Sequence, residues 1–190
     1  MSAGLHKRQT DDASPSGRDE RRFHVYQGKY KVSNTPNAVL CTILGSCVSV
    51  CLHDPVAHIG GMNHFLVPGG DATTQSLSHG AYSMELLING MLKRGAERSR
   101  LVAKLFGGAA VMSGLSDIGR QNSEFACDFL HREKIPCLAK SLGGVSARRL
   151  KFWPYDGKAR VLLIPISEAP VVEEPVAPPP APEGNDVELF

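Results

Sequence analysis

Residues 44–68, LGSCVSVCLHDPVAHIGGMNHFLVP, constrain the fold of this chain more than any other stretch. Gly45 and Ser46 lead directly into Val48, Val50 and Leu52, an apolar alternation of period two that suits a pleated strand and not a helix. His53, Asp54 and Pro55 end that strand, and Gly60 and Gly61 open a second one that carries His64 and stops at Pro68. Cys47 therefore stands where a tight turn becomes a strand, with its sulfur at an accessible strand end.

Strand and helix signals surround this pair. Residues 23–32 (FHVYQGKYKV) alternate weakly and read as an edge strand broken at Gly28, followed by a loop at Asn34, Thr35, Pro36 and Asn37. Residues 38–43 form a short apolar strand feeding the Gly45 turn. Over 78–94 the spacing becomes helical, with Tyr82, Leu86, Leu87, Ile88 and Met91 as an apolar stripe and Gly95 as the C-terminal cap. Residues 101–106 read as a strand ending at Gly107 and Gly108, where missing Cβ atoms admit a close neighbour. A second helix is expected over 118–133, capped by Asp117, with Phe125, Phe129 and Leu130 inward. Pro136 begins another strand, and residues 150–154 and 159–164 read as a hairpin about Asp156 and Gly157, a pair that favours a type I′ turn. Strands outnumber helices and do not alternate with them singly, which predicts α+β layers.

With 190 residues, 42% of them hydrophobic, the chain holds material for one domain with tails. Residues 1–22 are polar and nearly free of large apolar side chains, so a disordered tail is expected there, then a domain over 23–166 and a Pro-rich acidic tail over 167–190. Twenty-one basic and nineteen acidic side chains give a net charge of +2, no field that would draw nucleic acid. Apolar runs stop well short of the ~20 residues of a membrane span, and the N-terminal residues carry charge where a signal peptide is apolar. A cytoplasmic location is expected, and an odd count of five irregularly spaced cysteines suits a reducing compartment.

Cysteine is by default a small buried hydrophobe, and Cys41, Cys51, Cys127 and Cys137, in or beside apolar runs, are read that way. Cys47 differs through its Gly-Ser approach. A thiol becomes a nucleophile when an imidazole takes its proton, and His64 is the candidate base, expected to lower the Cys47 pKa as an ion-pair partner. Such a thiolate attacks a carbonyl whose leaving group is an amine, with the backbone N–H groups of Ser46 and Cys47 as donors to the developing oxyanion. A buried core histidine is the plainer role for His64 taken alone. His53 and His58, with Cys47 and Cys51, lack the paired spacing of closed zinc sites, so neither a metal nor another cofactor is expected. Arg148 and Arg149, after Gly143 and Gly144, either read an acidic substrate surface or occupy a solvated strand end.

The blocks LGSCVSVCLHDP, GGMNHFLVP, KLFGGAAVM, DIGRQN and SLGGVSARRLKF, in this order between about residues 30 and 164, resemble the CheD chemoreceptor glutamine deamidases. The resemblance implies a three-layer sandwich of mixed sheets with two main helices, similar to bacterial toxin glutamine deamidases. It implies a cytoplasmic enzyme at chemoreceptor arrays that hydrolyses glutamine side chains of methyl-accepting chemotaxis receptors through a Cys47 thioester, with His64 as partner. Family members often carry a threonine six residues before the nucleophile, where this chain has Cys41 with Thr42 beside it, so the third residue is either of these. The resemblance further implies association with a CheC-type phosphatase, and a weakly catalytic binding module for that partner is the rival reading. A thiol protease would need a longer chain and an extended groove.

Overall fold

The computed structural model describes residues 19–67, 74–110 and 116–165, with backbone alone at 74–77, 116 and 117. Nine strands and two helices follow one another as β1 (Arg21–His24), β2 (Tyr30–Ser33), β3 (Ala38–Leu44), β4 (Val48–Asp54), β5 (Ile59–Asn63), α1 (Thr74–Leu92), β6 (Val102–Gly107), α2 (Ser116–Arg132), β7 (Cys137–Leu142), β8 (Ala147–Trp153) and β9 (Lys158–Ile164) among the described residues. They form a four-stranded sheet of order β1-β3-β8-β9 and a five-stranded sheet of order β2-β5-β4-β6-β7. Both sheets are mixed: β1 runs parallel to β3 and β6 parallel to β7, while the remaining pairs are antiparallel. The architecture is a layered α+β fold, as the count of strands and helices predicts.

The five-stranded sheet is the middle layer. Val48, Val50 and Leu52 of β4 face the helices, joining Met84, Leu87, Ile88 and Met91 of α1 and Phe125, Phe129 and Leu130 of α2 in one core. Cys51 of β4 and Met62 of β5 face the other way, packing with Leu40 and Leu44 of β3 and Leu150 and Phe152 of β8 in a second core between the sheets. Because β5 is pressed from both sides, it can hold no bulk at its start: a Cβ on Gly60 would lie 2.4 Å from Pro154 O, and one on Gly61 2.7 Å from Leu87 Cδ1. The two glycines are thus what lets three layers close around one strand.

Several elements differ from their expected form. The 23–32 strand is two strands in different sheets, because Val25 to Lys29 crosses from the edge of one sheet to the edge of the other. Tyr82 is 65% exposed, and the buried stripe of α1 is Met84, Leu87, Ile88 and Met91 at i, i+3, i+4 and i+7. Gly95 caps α1 as expected, with φ of +98°, Ala96 N–H donating to Met91 O at 3.2 Å and Gly95 N–H to Leu92 O at 2.9 Å. The β8–β9 connection is not a two-residue turn: Trp153 pairs with Lys158, so residues 154–157 form a four-residue loop, closed by Gly157 N–H donating to Trp153 O at 2.8 Å. Pro154 cannot donate to the ladder, which stops pairing there. Strand β1 begins at Arg21, inside the stretch expected to be a disordered tail, because Arg21 and Arg22 pair with Ala38 and Val39 of β3. Residues 1–18, the C-terminal tail over 167–190, the stop at Pro68 and the Asp117 cap lie outside the residues whose side chains are described.

Candidate active site

Thr42 of β3, Cys47 just before β4 and His64 just after β5 are placed toward the space between the sheets. Alternation decides this. On β3, Thr42 shares a face with Leu40 and Leu44, both in the intersheet core. On β5, Met62 lies in that core while Asn63 turns to α1, where its Nδ2 donates to Ser83 Oγ at 3.2 Å; His64 therefore faces the sheets again. Cys47 packs against the same core from the start of β4. The β4–β5 register, Cys51 opposite Met62 and Val48 opposite Phe65, sets Ser49 across from His64 and leaves Cys47 one diagonal step away on the same face.

His64 is buried, and its ring is held by two groups at one nitrogen. Nδ1 lies 2.9 Å from Thr42 Oγ1 and 3.3 Å from Val25 O. A carbonyl oxygen only accepts, so Nδ1 carries the proton and donates to Val25 O and Thr42 Oγ1. That tautomer puts the lone pair on Nε2, the form a general base requires. Cys41 turns the other way: its thiol addresses Val39 O at 4.0 Å and burial raises its pKa. Of the two candidates for a third residue, Thr42 is the one at the imidazole.

The turn that presents Cys47 is gripped through its carbonyls. Gly45 O accepts from Ala109 N–H at 2.8 Å, Ser46 O from Asn122 Nδ2 at 3.3 Å and Cys47 O from Gly108 N–H at 2.8 Å. In planar trans peptides each N–H points opposite the preceding carbonyl. The Ser46 and Cys47 N–H groups are therefore turned away from the Ala109 and Asn122 groups that hold those carbonyls. Gly107 makes the grip possible, since a Cβ there would lie 2.1 Å from Cys47 O at a φ of +115°. The expectation that this glycine pair admits a close neighbour holds, and the neighbour is the Cys47 backbone.

Two residues next to the candidate site escaped the sequence reading. Asn122, fully buried on α2, accepts from Val67 N–H through Oδ1 at 2.6 Å and donates to Ser46 O and Ile118 O through Nδ2, so it ties the chain beyond His64 to the cysteine turn. Its signal was a carboxamide on the inward stripe that also carries Phe125 and Phe129. Gln27 sits on the turn between β1 and β2, with Oε1 3.2 Å from Cys47 Sγ; nothing in its local sequence distinguishes it from a surface residue.

The electrostatics of Cys47 depart from expectation. Burial pushes its thiol up to about 11, opposed only by its own backbone N–H, and no imidazolium lowers it. The lowering expected from His64 is not what governs this thiol, because the burial that disfavours the thiolate dominates. Arg148 is not a surface reader: it is 5% exposed, and its guanidinium donates to Ser141 Oγ, Ser146 O and Gly143 O, fastening the β7–β8 loop. His53 and His58 both contact Tyr155 O, at 3.2 and 3.3 Å, away from this centre.

A layered α+β domain with a turn-borne cysteine beside a threonine-held histidine has the make-up of a thiol-dependent hydrolase. The sequence model of the family described as CheD chemotactic sensory transduction matches residues 67–162. The chain is 51% identical over 181 residues to the probable chemoreceptor glutamine deamidase CheD of Rhizobium leguminosarum bv. trifolii (strain WSM2304), covering 90% of this chain and 96% of that protein. It is 50% identical over 174 residues to the protein of the same description from Caulobacter vibrioides (strain NA1000 / CB15N), covering 89% and 93%. Among solved structures, the hypothetical protein YfiH of Bacillus licheniformis is similar at a TM-score of 0.39 and 16% identity, over 67% of this chain and 61% of that one. The chain belongs to the CheD family.

Proposed function

We propose that this chain is a protein-glutamine deamidase acting on the cytoplasmic glutamines of chemoreceptors within receptor arrays. The observation that carries the reading is His64 Nδ1 lying 2.9 Å from Thr42 Oγ1 and 3.3 Å from Val25 O, an acceptor-only group that selects the base tautomer, with Cys47 held on a clamped turn. In a family whose members are named for chemoreceptor glutamine deamidation, that arrangement supplies the chemistry the name requires.

His64 Nε2 takes the Cys47 thiol proton as Sγ attacks the substrate Cδ, so thiolate forms only as the bond forms. The charge developing on the amide oxygen meets the Ser46 and Cys47 N–H groups, and loss of one such donor typically costs about 3–4 kcal/mol. His64 returns the proton to nitrogen, the C–N bond breaks and ammonia leaves the thioester. Water, deprotonated by His64, then releases a carboxylate and restores the thiol. Thr42 and Val25 O stabilise the imidazolium by accepting from Nδ1–H throughout.

The test is incubation with a receptor cytoplasmic fragment and peptide mass analysis. A gain of about one mass unit at glutamine peptides is expected with the parent chain and not with Cys47→Ala. A well-folded Cys47→Ala chain that still deamidates would sink the nucleophile assignment. A parent chain with no activity that binds a CheC-type phosphatase would favour the binding module, the partner that the family resemblance also brings.

A further inference from the structure

Among the described residues, Gln27 is the glutamine whose side chain lies against the candidate nucleophile, with Oε1 3.2 Å from Cys47 Sγ. It stands at the tip of a β-turn over Tyr26 to Lys29, closed by Lys29 N–H donating to Tyr26 O at 3.0 Å, with Gly28 at a φ of +73°. That turn is tied to the histidine on both sides. Gly28 N–H donates to His64 O at 2.7 Å, His64 N–H donates to Lys29 O at 3.0 Å, and Val25 O accepts from the ring. The backbone beside residue 27 is thus tied to His64, while the Gln27 side chain itself is exposed. Its terminal group is the same carboxamide that the reaction consumes.

We propose that Gln27 is a resident pseudosubstrate, whose carboxamide occupies the place of the substrate carboxamide at Cys47 until a target glutamine displaces it. This rests on Cys47 being the nucleophile of the proposed deamidation. The carboxamide meets the sulfur through its oxygen, as acceptor of the thiol proton, and attack would require the sulfur to face the carbonyl carbon instead. Contact through oxygen explains how an amide can rest on the nucleophile without being turned over. It also shields the sulfur from water, in keeping with a thiol that burial holds protonated. Entry of a substrate then requires only rotation of the Gln27 side chain, and the cost appears in KM because the binding-competent form is a fraction of the resting enzyme.

The experiment compares the parent, Gln27→Ala and Gln27→Asn, the last keeping a carboxamide one methylene too short to reach the sulfur. Each is assayed for Cys47 alkylation by iodoacetamide at fixed pH, for KM and kcat on a receptor cytoplasmic fragment, and for the mass of the tryptic peptide 23–29. Both variants should alkylate faster and show a lower KM, each by about two- to tenfold, the range that one neutral hydrogen bond commands. Their kcat should equal the parent's, and peptide 23–29 of the parent should have the mass of unmodified glutamine at residue 27. Unchanged alkylation and KM would overturn the proposal, as would a fall in kcat, which would make Gln27 a positioning residue for the thiol. A Cys47-dependent gain of about one mass unit in peptide 23–29 would overturn it too, by showing a substrate rather than an occupant. Cys47→Ala run alongside separates the two readings: if it still deamidates the receptor, the nucleophile assignment fails; if it is dead and Gln27→Ala matches the parent, only the pseudosubstrate fails.

Discussion

Of the two neighbouring candidates for the third role, Thr42 is the one hydrogen-bonded to His64, and the proposed mechanism assigns it that role. Thr42→Val keeps the volume and removes the hydroxyl, so the imidazolium loses an acceptor and the ring a restraint. We expect kcat to fall by about 10- to 100-fold, the scale of one hydrogen bond to a charged group, with little change in KM. Cys41→Thr, on the opposite face of β3, should turn over at the parent rate; a reversal of these two outcomes in steady-state assays would return the role to position 41. At Cys47 the thiol is raised to about 11 by burial, so the resting enzyme is protonated at neutral pH. Alkylation of the free enzyme by iodoacetamide should therefore climb with pH up to about 11, and a plateau near neutrality would reveal a preformed thiolate.

At the scale of elements, the β6–α2 corner acts as a clamp on the cysteine turn. Gly107 and Gly108 bring the end of β6 against Cys47 O, and Gly119 lets α2 approach in turn, since a Cβ there would lie 2.6 Å from Gly108 O. Gly107→Ala should force the turn outward, because Cys47 O is backbone and cannot yield as a flexible side chain would. The expected result is a loss of deamidation by orders of magnitude, larger than the loss of stability, read by comparing kcat with the thermal midpoint. Equal activity in a folded Gly107→Ala chain would mean that the turn holds its shape without the clamp. Asn122 belongs to the same device, since it joins the cysteine turn to the chain just beyond His64 through one buried carboxamide.

For the whole molecule, the buried carboxylate of Asp54 is a pH-sensitive support among the described residues. Burial by itself would raise its pKa, but hydrogen bonds from Arg100 and from the Glu97, Ala57 and Val56 N–H groups overcome that and hold the carboxyl well below the usual carboxylate range. A depressed folded pKa means that the unfolded chain binds the proton first. The stabilisation is present above the unfolded value near ~4 and is lost as pH falls below it toward the folded value. Acid unfolding of the parent should begin below pH ~4, and Asp54→Asn should flatten that limb in denaturant titrations at several pH values. The β4 strand that ends in Asp54 is the one that begins beside Cys47, so the anchor and the site share one rigid element. Among the described residues no helix is long and apolar enough to cross a membrane.

Local chemistry was enough to place the Gly45 turn, the alternation of β4, the glycines of β5, the Gly95 cap and the layered α+β class, because each follows from the period or the conformational freedom of a few adjacent residues. The placement of Cys47 and His64 at strand ends was legible for the same reason, since their neighbours define those ends. The third partner was not. Strand β3 is apolar on both faces, with Val39 and Cys41 as buried as Leu40 and Thr42, so alternation says only that positions 41 and 42 point opposite ways. Which face meets the second sheet depends on pairing β3 with β8 and stacking that sheet on β4 and β5, contacts between residues far apart in the chain. Gln27 and Asn122 were hidden likewise, a surface glutamine and a helix asparagine until the fold carried one to the sulfur and the other between two loops. The protonated state of Cys47 is also a tertiary fact, since the desolvation that raises it is made by neighbours that no local sequence specifies.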